Sequence, residues 1–144
     1  MYLAGGGEVL LAPMVMKMER GREPDLQVIL PESKQRIKET LVAGAADLVV
    51  EIISPDSIKR DKEVKFAEYE RGGVHEYWVL DPLEHETFFY VRGEDGKFQR
   101  HYSDADGIYQ SVVLKRLRLK VDLLWREPLL RGPEIEALVR EMLK

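Results

Sequence analysis

Cysteine is absent from this sequence of 144 residues, and its absence excludes disulfide bridges and thiolate metal sites. No apolar run approaches the ~20 residues that a membrane-spanning helix needs. Residues Met1 to Gly7 carry neither a basic nor an apolar leader segment, so nothing directs secretion and the cytoplasm is the expected compartment. Excess positive charge is missing as well. The 22 Lys and Arg stand against 26 Asp and Glu, for a net charge of −4. That balance argues against coating nucleic acid by bulk charge, yet leaves room for an enzyme that holds a phosphodiester through a metal ion. Histidine is scarce, and His75, His85 and His101 lack metal-ligand spacing, so packing or surface roles are expected for them. Gly5-Gly6-Gly7 precedes a strand pattern, without the helix a phosphate-binding loop requires.

Apolar residues at 44% and charged residues at 33% mark a globular chain, of a length that suits one domain over residues 1–144. Glu8 to Met18 reads as an opening strand, with a kink or a bulge at Pro13. Its Met14, Met16 and Met18 are expected core fillers. Asp25 to Leu30 is a second strand, stopped by Pro31. Residues 31–46 form a connection with room for a helical turn. Asp47 to Ile53 is a nearly unbroken β-branched run, the pattern of a central strand covered on both faces. Ser54 or Ser57 is placed to cap a following helix that runs to about Arg71, where Gly72-Gly73 stops it. Glu76 to Asp81 and Thr87 to Arg92 are strands. Glu94-Asp95-Gly96 turns the chain into Lys97 to Tyr102, and Asp106-Gly107 marks another turn. Leu117 to Leu123 alternates like an exposed strand, and its basic run (Lys115, Arg116, Arg118, Lys120) reads as a solvated face that could touch a phosphate backbone. Pro133 to Lys144 is a closing amphipathic helix. The fold class is therefore α/β, an α+β mixed sheet with a β-rich C-terminal meander.

Two residues break these patterns. Glu51 lies inside the most apolar strand, where an isolated carboxylate is costly. Strand parity puts it on one face with Asp47, Val49 and Ile53, but four residues at ~3.3 Å separate it from Asp47 by roughly 13 Å. A partner carboxylate must come from another strand, and Asp25 is the best placed. Two carboxylates ~4 Å apart repel by about 4 kcal/mol at an effective dielectric of 20. A divalent cation converts that repulsion into binding, and hard oxygen donors suit magnesium or manganese. The second anomaly is Lys65. On a helical wheel Ile58, Lys65 and Tyr69 fall within about 40° of one another, so the lysine faces the sheet. A cation there can neutralise a scissile phosphate or position an attacking water. Two plainer accounts stand beside this one: a structural Glu51–Lys65 salt bridge, or an Asp61–Lys65 helix pair with the lysine reaching water.

Four ordered segments resemble the Uma-two family of restriction-type endonucleases. They are Arg22-Glu23-Pro24-Asp25, then Ala46 to Pro55, then Asp61 with Lys65 and Tyr69, then Gly73 to Pro82. The resemblance is dense over about 60 residues and looser over the downstream meander. It implies the PD-(D/E)XK nuclease fold and hydrolysis of nucleic acid, DNA foremost, with a divalent metal ion, Mg2+ or Mn2+. On that basis Asp25 is the first metal carboxylate and Glu51 the second. The usual lysine two residues after the glutamate is replaced by Ile53, and families of this type supply it from the following helix, which matches Lys65. Tyr77 and Trp78 are expected to pack beside that helix. Relatives begin with a further segment that includes a helix, whereas this chain opens almost directly on a strand. Either the chain is recorded short or another element fills that face, and a partner subunit in that place makes a homodimer the expected assembly. The alternative is a silent nuclease fold that binds nucleic acid or protein.

Overall fold

The computed structural model describes residues 5–56 and 61–142. Its strands are β1 (Glu8–Leu11), β2 (Val15–Lys17), β3 (Gly21–Arg22), β4 (Leu26–Ile29), β5 (Leu41–Ala43), β6 (Leu48–Ile52), β7 (Glu76–Asp81), β8 (Glu86–Arg92), β9 (Phe98–His101), β10 (Ile108–Gln110) and β11 (Arg118–Lys120). A π-helical turn, Asp61–Lys65, leads into helix α1 (Phe66–Gly72), and α2 is Gly132–Met142. The fold is mixed α+β. It divides into two compact units, Met1–Arg100 and His101–Lys144.

In the first unit six strands form a sheet in the order β1-β4-β6-β7-β8-β9, and β3-β2-β5 form a smaller one. β6 and β7 run parallel, while β1–β4, β4–β6 and β7–β8 are antiparallel. β6 is interior, as its β-branched run predicts, and Leu48 to Glu51 are all buried. Parity then sorts its side chains. Val49 and Ile53 join Tyr69, Tyr77 and Val79 in one core, on the side of the sheet that carries α1. Tyr77 meets Tyr69 edge-on at 5.0 Å between ring centroids. Trp78 differs from expectation, because successive strand residues point to opposite faces. It lies across the sheet from α1 and packs edge-on against Phe89 at 5.3 Å.

The expected opening strand is two strands. The Met14 N–H donates to the Leu11 carbonyl, closing a turn at Ala12-Pro13 that sends the chain from β1 in one sheet to β2 in the other. Proline has no N–H for a ladder, so the run breaks there rather than bending. Of the three methionines Met16 is fully buried, and its sulfur accepts the Ala46 N–H. The connection over residues 31–46 holds a 3-10 turn, Pro31–Arg36, and the short β5, which pairs in parallel with β2. α1 ends at Gly73, whose φ of 96° is the left-handed conformation glycine adopts without strain. Its N–H and that of Val74 both donate to the Tyr69 carbonyl. Ser57 and Ile58, expected at the start of this helix, lie outside the described residues.

In the second unit β10 and β11 pair antiparallel. Leu119 is buried between exposed Arg118 and Lys120, so those two basic residues do form a solvated face. The strand expected to reach Leu123 stops at Lys120, and Val121–Trp125 winds as a 3-10 turn. No helix among the described residues is long and apolar enough to cross a membrane.

Candidate active site

Glu51 is 2% exposed on the α1 side of β6. The Tyr69 hydroxyl donates to its Oε1 at 2.5 Å. Lys65 Nζ stands 3.0 Å from its Oε2. The lysine closes the π-helical turn and the tyrosine sits four residues on, so one stretch of helix delivers both groups to one carboxylate. Burial pushes the Glu51 carboxyl above the ordinary glutamate range, the Tyr69 hydrogen bond and the Lys65 charge oppose that rise, and Asp25 adds to it. Burial also raises the Tyr69 phenol, helped by the neighbouring Glu51 charge, so Tyr69 acts as a donor across the neutral range.

Asp25 stands immediately before the adjacent strand, β4. β4 and β6 pair Leu26 with Val50 and Gln27 with Val49, so one step further sets Asp25 opposite Glu51. Its carbonyl accepts the Ala12 N–H, and its Oδ2 accepts the Ile52 N–H at 2.7 Å. The residue is solvent-exposed, and Oδ1 has no protein partner among the described residues. Asp47 behaves differently. Its Oδ2 accepts the Leu30 N–H at 2.8 Å and its Oδ1 the Ser33 hydroxyl at 2.9 Å. It secures the turn after β4, consistent with the spacing that separates it from Glu51.

The structure thus brings Glu51 and Lys65 into contact and sets Asp25 across from Glu51. It also adds groups to which the sequence assigned no role. Tyr69 is one. Arg22 is another: its Nε and Nη2 make a two-point pair with the Glu68 carboxylate at 2.5 and 2.8 Å. This fork raises the Arg22 guanidinium and lowers the Glu68 carboxyl. It ties the segment three residues before Asp25 to the helix that carries Lys65 and Tyr69. The signal for it was Arg22 within the first motif and Glu68 one residue before Tyr69. Gln27 is the third, two residues from Asp25 on the same strand face. It is fully buried and donates to the Met14 carbonyl, while its Oε1 has no partner.

The donors on hand are hard oxygens, Asp25 and Glu51. No group of three or more His, Cys, Asp or Glu suited to an ion gathers among the described residues. A two-carboxylate set fits magnesium or manganese, which keep part of their water and take further oxygens from a substrate phosphate. The unsatisfied Gln27 Oε1 on the same face fits an additional water donor there.

The family model "Uma2: Putative restriction endonuclease" matches residues 3–122. The chain belongs to the Uma2 family. Among solved structures it is similar to "a putative nuclease belonging to DUF820 from Anabaena variabilis ATCC 29413", with 19% identity and a TM-score of 0.64, covering 83% of this chain and 68% of that one. At that identity the likeness is one of fold. No curated protein matches the chain.

Proposed function

We propose that this chain is a metal-dependent phosphodiesterase acting on nucleic acid, with DNA the first substrate to test, built on a PD-(D/E)XK core. The observation that carries the proposal is the contact of Lys65 with Glu51, together with the strand register that, continued by one residue, sets Asp25 opposite Glu51. Asp25 and Glu51 hold a magnesium or manganese ion, which when bound neutralises charge on the scissile phosphate and lowers the pKa of water. The protein's own contribution is to fix that arrangement. Tyr69 holds Oε1 of Glu51 and leaves Oε2 toward Lys65. The Lys65 ammonium, 17% exposed, sets a positive charge beside the carboxylate, where it orients an incoming water and offsets negative charge developing on the phosphate oxygens. The Ile52 N–H holds Oδ2 of Asp25, leaving Oδ1 free for the ion.

One observation favours a second reading. Both oxygens of Glu51 already have protein partners, as a structural ion pair would require. A silent nuclease fold that binds without cleaving would look the same. Isothermal titration of Mg2+ and Mn2+ into wild type and Glu51→Ala, followed by a plasmid-nicking assay, separates the two. Saturable binding abolished by the substitution, with nicking by wild type alone, supports the hydrolase. Failure of the wild type to bind either ion, with and without DNA, removes the hydrolase and leaves the silent module.

A further inference from the structure

Residues 107–121 contain four of the chain's 22 Lys and Arg, namely Lys115, Arg116, Arg118 and Lys120, and none of its 26 Asp and Glu. β10 and β11 pair Ile108 with Lys120, Tyr109 with Leu119 and Gln110 with Arg118. Directly opposite residues of an antiparallel pair share a face. Tyr109 and Leu119 are therefore buried on one side of the ribbon, while Arg118 and Lys120 stand exposed on the other. The loop between the strands is tied down although it has no regular structure. The Ser111 N–H donates to the Leu117 carbonyl, the Leu117 N–H to the Leu114 carbonyl and the Leu114 N–H to Ser111 Oγ. Gln110 Nε2, opposite Arg118, donates to the carbonyls of Lys115 and Leu117 at 2.8 and 3.1 Å. That clamp holds the Lys115 backbone at the end of the ribbon. Lys115, Arg118 and Lys120 are all exposed, and among the described residues no carboxylate pairs with any of the three. Asp104, at the foot of β10, turns its Oδ1 to the Asp106 and Ile108 N–H groups.

We propose that the β10–β11 ribbon is a docking surface for the phosphate backbone of duplex DNA, with Lys115, Arg118 and Lys120 as its contacts. The class of ligand rests on the proposed hydrolase, and the surface is independent of the chemistry at Glu51. Charge complementarity carries the proposal. In a chain of net charge −4, an acid-free run of unpaired cations concentrates positive potential on one ribbon where the bulk charge supplies none. Arg118 and Lys120, two residues apart on one strand, are separated by ~7 Å. A nucleic-acid strand carries one charge per ~3.4 Å of its axis, so the two side chains meet separate phosphates. Arginine offers phosphate oxygens a planar fork of donors, and lysine offers a point charge. Such contacts fix the position of the duplex and read no sequence. A membrane surface fits less well. None of the exposed large apolar residues lies on β10 or β11, whereas an element seated in a membrane interface buries an apolar face there.

The test is fluorescence anisotropy of a short labelled DNA duplex on the full chain across a salt series, in EDTA, which keeps divalent ions out of the binding. Arg118→Gln/Lys120→Gln is compared with Lys17→Gln/Lys38→Gln, which removes the same charge from exposed positions in the first unit, and with the exchange Arg118→Lys/Lys120→Arg. The expected result is at least a tenfold loss of affinity for the first pair and a salt slope smaller by about 1.8, the share of two phosphates on a duplex. Adding Lys115→Gln to that pair should deepen the loss. The first-unit pair should change little and the exchange should keep most of the affinity, with all thermal transitions cooperative. Equal losses in both glutamine pairs, no loss in either, or a wild type that binds no duplex overturns the surface. So does binding to phosphatidylserine vesicles that falls with Arg118 and Lys120 while DNA binding stays put. Plasmid nicking in Mg2+ run alongside keeps the two proposals apart. Duplex binding that depends on Arg118 and Lys120 without nicking removes the hydrolase and leaves the surface, whereas nicking with indifferent binding does the reverse.

Discussion

Asp47 and Glu51 occupy the same face of one stretch of chain, four residues apart, and their surroundings differ in kind. Asp47 accepts from a backbone N–H and a serine hydroxyl, both neutral donors within one local turn. Glu51 is buried deeper and meets a lysine and a tyrosine brought in by a helix, with a second carboxylate on the neighbouring strand. A carboxylate satisfied by local neutral donors is a brace. A carboxylate buried against a cation, with a second carboxylate on the neighbouring strand, is the one that the proposed function offers to a divalent ion. Residue type does not separate the two. Their partners do.

The sharpest way to break this contrast is Glu51→Gln. It keeps an acceptor for Tyr69 and removes the charge, so ion affinity measured by titration should fall by roughly a hundredfold or more, the upper range seen for groups that support a metal site. Urea unfolding should shift by no more than about 1 kcal/mol. Asp47→Ala should do the opposite. It strands the Leu30 N–H and the Ser33 hydroxyl, costing about 2–3 kcal/mol in the same unfolding experiment, while ion affinity per folded molecule stays put. If Asp47→Ala abolished ion binding at unchanged stability, the assignment of brace and site would be reversed.

Smaller effects sharpen the picture. Tyr69→Phe removes the hydroxyl that holds Oε1 and should weaken ion binding about tenfold, with a stability change near 1 kcal/mol. Acid titration probes the Arg22–Glu68 fork. Its Glu68 carboxyl is depressed in the folded state, so its contribution is present above the ordinary glutamate range and lost as pH falls through the lower folded value. The stability gap between wild type and Glu68→Gln should therefore be below about 1 kcal/mol near neutrality, given solvent screening, and should close under acid. A gap that instead widened on acidification would contradict the pairing.

Much of the sheet is legible in the sequence. The β-branched run at Asp47 to Ile53 announces an interior strand, Gly72-Gly73 announces the helix stop, and parity puts Glu51 on the face with Val49 and Ile53. The departures have physical causes. β3 and β5 are two and three residues long, too short to show a period, and form because β2 lies between them. Residue type alone assigns Trp78 to the helix side, whereas parity with Tyr77 puts it opposite. The strand expected to reach Leu123 ends early because apolar-charged alternation is compatible with a 3-10 turn once pairing with β10 runs out.

By itself the sequence determined the features that local covalent geometry dictates: a period of two that aims Glu51 at one face, a helical period that aims Lys65 and Tyr69 together, and a glycine that ends their helix. Only the tertiary structure decided which groups meet. The register between β4 and β6 sets Asp25 against Glu51, and the Arg22–Glu68 fork joins positions 46 residues apart. Register and docking are set by burial summed over many side chains, and no window of the sequence contains that sum.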